Sequence, residues 1–213
     1  MITACLITRP EHDDTTYYLS KWSENIITFA NNKNIKIFDL HRDKANKIEV
    51  ESRLKKSPCI LVLLNGHGDY QLVAGHNNQP LIISGENEAL LKSKITYAVS
   101  CKSAKQLCPK SIESGAINYT GYDEDFIFVY EPNNLSRPLQ DETAKLFLEP
   151  SQQFVISLLK GNTIKESFER SRDSIKENLL TSLSGATKDT ALARFLWWDL
   201  KHFVSHGNLD AKL

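Results

Sequence analysis

Two short segments of this chain join an apolar run to a side chain capable of chemistry. Residues 59–64 read Cys-Ile-Leu-Val-Leu-Leu and lead into Asn65-Gly66-His67-Gly68-Asp69. Residues 95–100, Ile-Thr-Tyr-Ala-Val-Ser, read as a second, largely apolar strand that ends in Cys101. A thiol is nucleophilic as the thiolate, which at neutral pH needs a neighbouring base or positive charge. An imidazole meets that need, so His67 as base and Cys101 as nucleophile would together perform acyl transfer through a thioester. Gly66 and Gly68 allow a sharp turn and leave the imidazole open to a substrate. The backbone N–H groups of Gly68 and Cys101 would then be free to hold the oxyanion of a tetrahedral intermediate. Asp69 could orient His67 or could simply be solvated; the residues alone leave both open. His76, between two extended pieces, is a second imidazole expected at the surface, lining the cleft.

These side chains face each other only if the apolar runs are neighbouring strands of one parallel sheet, whose carboxyl ends share an edge and open on one crevice. The rest of the sequence favours such a sheet. Strands are expected at 2–7, 35–40, 59–64, 95–100 and 116–120. The continuous apolar character of 59–64 suits a central strand covered on both faces. Between them lie helical stretches. Over 14–31 the apolar positions Tyr18, Trp22, Ile26 and Phe29 keep helical spacing, and Asp13 or Asp14 can cap the first turn. Residues 43–56 and 103–114 are also expected to be helical, and 86–92 to form one or two turns; 71–74 and 80–83 could pair as a hairpin.

Residues 131–141, with Pro132 and Pro138, read as an exposed loop, and everything beyond as helix. One apolar face there comprises Ile164, Phe168, Ile175 and Leu179. A second comprises Leu192, Phe195, Leu196, Leu200 and Phe203, with Trp197 or Trp198 packed in the core. The expected fold is α/β: a three-layer sandwich with a mostly parallel central sheet, followed by C-terminal helices. One domain is expected over 1–213, with the sheet core in 1–130, the loop in 131–141 and helices in 142–213.

Composition narrows the function classes. The chain is 41% hydrophobic and 24% charged, as in an ordinary globular domain with a real core. Its 26 basic side chains balance 26 acidic ones, so it lacks the basic footprint of a nucleic-acid binder. No signal peptide and no apolar run of membrane-spanning length are visible, so no membrane partner is expected and the cytoplasm is the expected compartment. Cys5, Cys59, Cys101 and Cys108 are expected to be reduced there, and their spacing fits no zinc pattern. Cys5 and Cys59 fall in expected strands, where packing is their ordinary role. A Gly-rich phosphate cradle after the first strand and a Gly-x-Ser-x-Gly elbow are both absent, which argues against flavodoxin-like and α/β-hydrolase readings.

The strand ending in Asn65-Gly66-His67-Gly68-Asp69, followed by a strand ending in Val99-Ser100-Cys101-Lys102-Ser103, resembles the caspase–hemoglobinase superfamily of cysteine peptidases. Its bacterial CHAT, gingipain and separase-like members are the nearest in character. In that superfamily the catalytic His follows one sheet strand in a His-Gly turn, and the Cys follows the next strand. The resemblance covers about residues 1–130 by element order. The caspase signature Gln-Ala-Cys-x-Gly is absent, so selectivity for Asp is not implied. The resemblance implies a cysteine endopeptidase with a Cys101–His67 dyad; stand-alone bacterial members of the group are often regulated effectors, switched on by an activating partner protein or by cleavage. The segment from Gly115 to Asp125 resembles the post-nucleophile strand of separase and CHAT proteins. That implies that Asp123 or Asp125, together with Asp69 at the cleft, lines the substrate-binding site and favours Arg or Lys before the cleaved bond. The substrate would be a protein or peptide. No cofactor and no metal are needed for this chemistry, although some relatives are calcium-activated. A catalytically silent binding module on the same fold is the alternative.

Overall fold

The computed structural model of the chain describes residues 4–184 and 191–213. The first strand, β1, spans Ala4–Arg9 and every residue of it is buried. Ile2 and Thr3 of the expected strand lie outside the described residues. Helix α1 spans Asp14–Asn32, and its cap is Asp13, whose side chain accepts from the Thr16 N–H in a capping box. β2 (Lys36–His41), α2 (Lys47–Lys56, capped by Asn46) and β3 (Cys59–Asn65) follow. β4 (Leu72–Ala74) and β5 (Pro80–Ile83) pair as the expected antiparallel hairpin. β6 (Ile95–Val99), α3 (Leu107–Glu113) and β7 (Asn118–Tyr122) complete the alternating part of the chain. Residues 131–141 hold only two short 3₁₀ turns, Pro132–Asn134 and Pro138–Gln140. The last helices are α4 (Glu142–Leu159), α5 (Ile164–Leu183) and α6 (Leu192–His202).

The chain does not end as helix. Phe203–Gly207 forms β8, which runs antiparallel to β7 with Phe203 opposite Tyr122 and Gly207 opposite Asn118. The central sheet therefore has six strands in the order β2-β1-β3-β6-β7-β8, all parallel except the last. Its edge strand is what the sequence did not announce. Phe203 continues the apolar face of α6 without a break, and only its inward side chain (1% exposed) marks the change of period.

Alternate side chains of the central strands feed two separate cores. Cys5 and Ile7 of β1, Leu61 and Leu63 of β3, and Ile95, Tyr97 and Val99 of β6 face α1 and the C-terminal helices. Ala4 and Leu6, Val62 and Leu64, and Ala98 face α2, α3 and the hairpin. This is the three-layer α/β/α arrangement, with helices on both faces of a mostly parallel sheet. Each fully buried Leu or Ile on β3 and β6 contributes roughly 1.5–3 kcal/mol of apolar burial. The two strand ends that carry His67 and Cys101 are thus anchored by strands buried on both faces.

Candidate active site

His67 and Cys101 each lie two residues beyond the end of a strand. Those strands are adjacent, since β3 pairs with β6 in parallel and Asn65 is opposite Val99. The Gly66 N–H donates to the Val99 carbonyl at 3.3 Å and carries the ladder one step past the register. The adjacency expected from sequence is therefore the adjacency of the fold, and both segments leave the same carboxyl edge of the sheet.

The glycines around His67 are demanded by close backbone approach. Gly66 has φ +151°, and a Cβ there would stand 1.9 Å from the Ala74 carbonyl oxygen. At Gly68 a Cβ would lie 2.8 Å from the Cys101 carbonyl oxygen, 3.0 Å from Ser100 Cβ and 3.1 Å from the Leu72 carbonyl oxygen. The His67 turn thus packs directly on the backbone of the Cys101 segment. On its other side it is held by the hairpin: Ala74 N–H donates to the His67 carbonyl at 2.8 Å, and Asp69 N–H donates to the Leu72 carbonyl at 3.1 Å. The N–H groups of Gly68 and Cys101 donate to no other group among the described residues.

The acid that holds His67 is Asp13. His67 Nε2 lies 2.6 Å from Asp13 Oδ2, and both side chains are 39% exposed. This leaves Nδ1 of the ring for a second partner. Burial raises the Asp13 carboxyl, but the Thr16 N–H and the His67 imidazole more than offset it and hold the group below its usual range. Asp69, the acid expected beside His67, is turned into its own loop. Its Oδ1 accepts from the N–H groups of Gln71 (2.7 Å) and Leu72 (3.0 Å), a local turn that a short Asp side chain makes readily. His12 packs edge-on against His67 with ring centroids 5.8 Å apart, and His76 packs edge-on against His12 at 5.5 Å.

Cys101 is half-buried, whereas the free thiols Cys5, Cys59 and Cys108 are buried. Its turn is fixed from three sides. Lys102 N–H donates to the Glu124 carbonyl, Ala104 N–H to the Tyr122 carbonyl, and the N–H groups of Gln106 and Leu107 to the Tyr70 carbonyl. Lys102 takes a left-handed φ of +58°, a conformation that costs a non-glycine residue about 1–2 kcal/mol. The thiol itself points to the Phe126 carbonyl, with Sγ to O at 3.8 Å. Burial pushes the thiol up to about 11 and the carboxylate of Asp125 adds in the same direction, while the backbone contact at Phe126 and the charge of Lys102 oppose them. In this conformation the sulfur is protonated at neutral pH.

The two acids expected to line a specificity pocket are each engaged. Asp123 Oδ1 lies 2.7 Å from His202 Nδ1, and Asp125 Oδ1 lies 3.1 Å from Lys102 Nζ. Asp125 is the one next to the Cys101 thiol. Residues 123–127 are tied down by the end of α6: His202 carbonyl accepts from Asp123 N–H, Trp198 Nε1 donates to the Asp125 carbonyl at 2.8 Å, and Asp199 Oδ1 accepts from Ile127 N–H at 3.0 Å. Trp198 is therefore a half-buried strut, and Trp197 is 52% exposed. Asp199 is 2% exposed, and burial raises its carboxyl well above the usual range, against the opposing hydrogen bond from Ile127 N–H. Asp13, Trp198 and Asp199 were not read as site residues. Asp13 carried a signal, since the loop after a parallel strand returns to the carboxyl edge; Trp198 and Asp199 carried none.

No protein-family profile and no curated protein matches the chain. No helix among the described residues is long and apolar enough to cross a membrane.

Proposed function

We propose that this chain is a cysteine endopeptidase of the caspase–hemoglobinase kind, in which Cys101 attacks the peptide carbonyl and His67 handles the protons. The observation that supports it best is the placement of the two groups beyond registered, adjacent strand ends, with the backbone of Gly68 pressed on that of Cys101. Asp13 orients His67 through Nε2 and stabilises the imidazolium that forms when the ring takes the thiol proton through Nδ1. The thioester then forms as the amine departs with a proton from His67, and water hydrolyses it. Donors for the oxyanion are the N–H groups of Gly68 and Cys101.

The conformation described is a resting one on this reading. The thiol is given to the Phe126 carbonyl and kept protonated beside Asp125. Activation requires segment 123–127 to release the sulfur, which suits a regulated effector that answers to a partner protein or to its peptide substrate. Asp125 is the better candidate for recognising an Arg or Lys side chain, because an incoming cation could replace Lys102 as its partner. Four free thiols suit a reducing compartment, the cytoplasm. A catalytically silent module is favoured by one observation, the raised thiol of Cys101.

Fluorogenic peptides that differ only in the residue before the cleaved bond (Arg, Lys, Asp, Leu, Ala) separate these readings. Cleavage after Arg or Lys that disappears in Cys101→Ala and His67→Ala is the expected result. Cleavage after Leu or Ala alone keeps the dyad and removes Asp125 from recognition. An absence of cleavage, with Cys101 no more reactive than Cys108 toward a peptide electrophile, gives the molecule to the silent module.

A further inference from the structure

We infer that His12, Asp13 and His67 form a binding site for one zinc-like divalent cation at the rim of the candidate active site. Each offers one ligand atom, and the three atoms lie within 4.8 Å of one another. The two distances to Asp13 Oδ2 are 2.6 Å from His67 Nε2 and 3.6 Å from His12 Nε2. A tetrahedral zinc ion with bonds of about 2.0–2.1 Å holds its ligand atoms about 3.3 Å apart, so side-chain shifts of under about 1 Å suffice. Two imidazoles and one carboxylate suit zinc and the neighbouring late transition metals better than calcium or magnesium, which prefer oxygen alone. Three protein ligands leave a fourth position for water or for an incoming group.

The surroundings fit a ligand role for His12 in particular. Its side chain is 10% exposed, and Nε2 is the ring nitrogen that faces Asp13 Oδ2. Among the described residues, only Asn78 Oδ1, 3.1 Å from Nε2, competes for that nitrogen. His76 is excluded from the set: its Nδ1 accepts from Glu11 N–H, and its Nε2 faces Asp43 at 3.3 Å. Asp13 and His67 are each 39% exposed, so an ion can enter from solvent.

The consequence for catalysis rests on the peptidase reading, whereas binding does not. A bound ion takes both His67 and the acid that orients it. The ring is then no longer free to receive the thiol proton, so metal occupancy and dyad activation exclude each other.

Titration of the purified full chain with zinc chloride by calorimetry, and with cobalt chloride by visible absorption, tests the site. Expected are one saturable equivalent, a tetrahedral cobalt spectrum, and at least a tenfold weaker affinity in His12→Ala, His12→Gln and Asp13→Asn, with Cys101→Ala and His76→Ala unchanged. Two ring variants are used so that a folding defect in one does not decide the matter. Absence of saturable binding, or unchanged affinity in both His12 variants, overturns the site. If peptide cleavage is present, zinc should suppress it in step with occupancy, and His12→Gln should raise the half-inhibitory zinc concentration at least tenfold. Binding without any cleavage, and with Cys101 no more reactive than Cys108 toward a peptide electrophile, keeps the site and removes the peptidase reading; cleavage without binding does the reverse.

Discussion

Asp13 does two separable jobs, and one pair of substitutions can part them. Its Oδ1 accepts from the Thr16 N–H at 2.8 Å and caps α1, while its Oδ2 lies 2.6 Å from His67 Nε2. Removing an N-cap side chain costs about 1 kcal/mol, within a range of roughly 0.5–2, whereas Asn caps as well as Asp. For a domain of this size that is a fall in melting temperature of about 2–4 °C for Asp13→Ala and about 1 °C or less for Asp13→Asn. Neither variant keeps the negative charge on His67. A hydrogen bond to a charged group is worth roughly 1.5–3 kcal/mol, so each should slow transfer of the thiol proton to His67 about 10–100-fold. The assays are differential scanning calorimetry, and the second-order rate at which an arginyl peptide electrophile modifies Cys101. Both variants should lose reactivity, and only Ala should lose stability. Full reactivity in Asp13→Asn, or a melting temperature as low as that of Asp13→Ala, would refute the division of labour.

Four further outcomes follow from the geometry. Gly68→Ala forces a methyl group to 2.8 Å from the Cys101 carbonyl oxygen, so it should lower stability by about 1–3 kcal/mol in urea unfolding and disturb the dyad as well. Glu11 is 3% exposed at its side chain; burial raises it, but hydrogen bonds from His41, Arg42 and Ser20 prevail and bring it to about 2. Because its folded value lies below the unfolded one, its stabilisation, about 3 kcal/mol, is present above pH ~5 and lost as pH falls toward 2. Glu11→Gln should flatten that part of an acid-unfolding profile. Asp199 has the opposite sign, since its folded value is raised: its contribution is full below the unfolded value of ~3.9 and is lost as pH rises, at about 1.4 kcal/mol per pH unit up to the folded value. Asp199→Asn keeps an acceptor for Ile127 N–H and should unfold at higher urea than the natural chain at neutral pH. Asp125→Asn should raise KM for arginyl peptides at least tenfold with a smaller change in kcat, and it should bring the Cys101 thiol down from about 11 in a pH profile of alkylation.

Periodicity made the central sheet legible. The runs that became β3 and β6 are apolar on both faces because each feeds two cores, and that pattern alone put His67 and Cys101 at strand ends. The partner of His67 was harder to see. Asp69 is two residues away in sequence, but its carboxylate is consumed by the N–H groups of Gln71 and Leu72. Asp13 is 54 residues away and reaches His67 only because β1 and β3 are neighbours. Its role as a helix cap was readable from the local sequence, whereas its second role needed the strand order. β8 escaped for a different reason, since Phe203 extends the apolar face of α6 before the chain enters the sheet. The hold of α6 on segment 123–127 depends on Trp198 and Asp199, about 73 positions later in the chain, a contact that no local spacing announces.

The most direct test of the dyad is to treat the native chain with a peptidyl-arginine acyloxymethyl ketone and to map the adducts by mass spectrometry. The account predicts a single adduct on Cys101, slowed at least a hundredfold in His67→Ala and abolished in Cys101→Ala, with Cys5, Cys59 and Cys108 unmodified. Equal labelling of Cys101 and Cys108, or a Cys101 rate indifferent to His67→Ala, would contradict it.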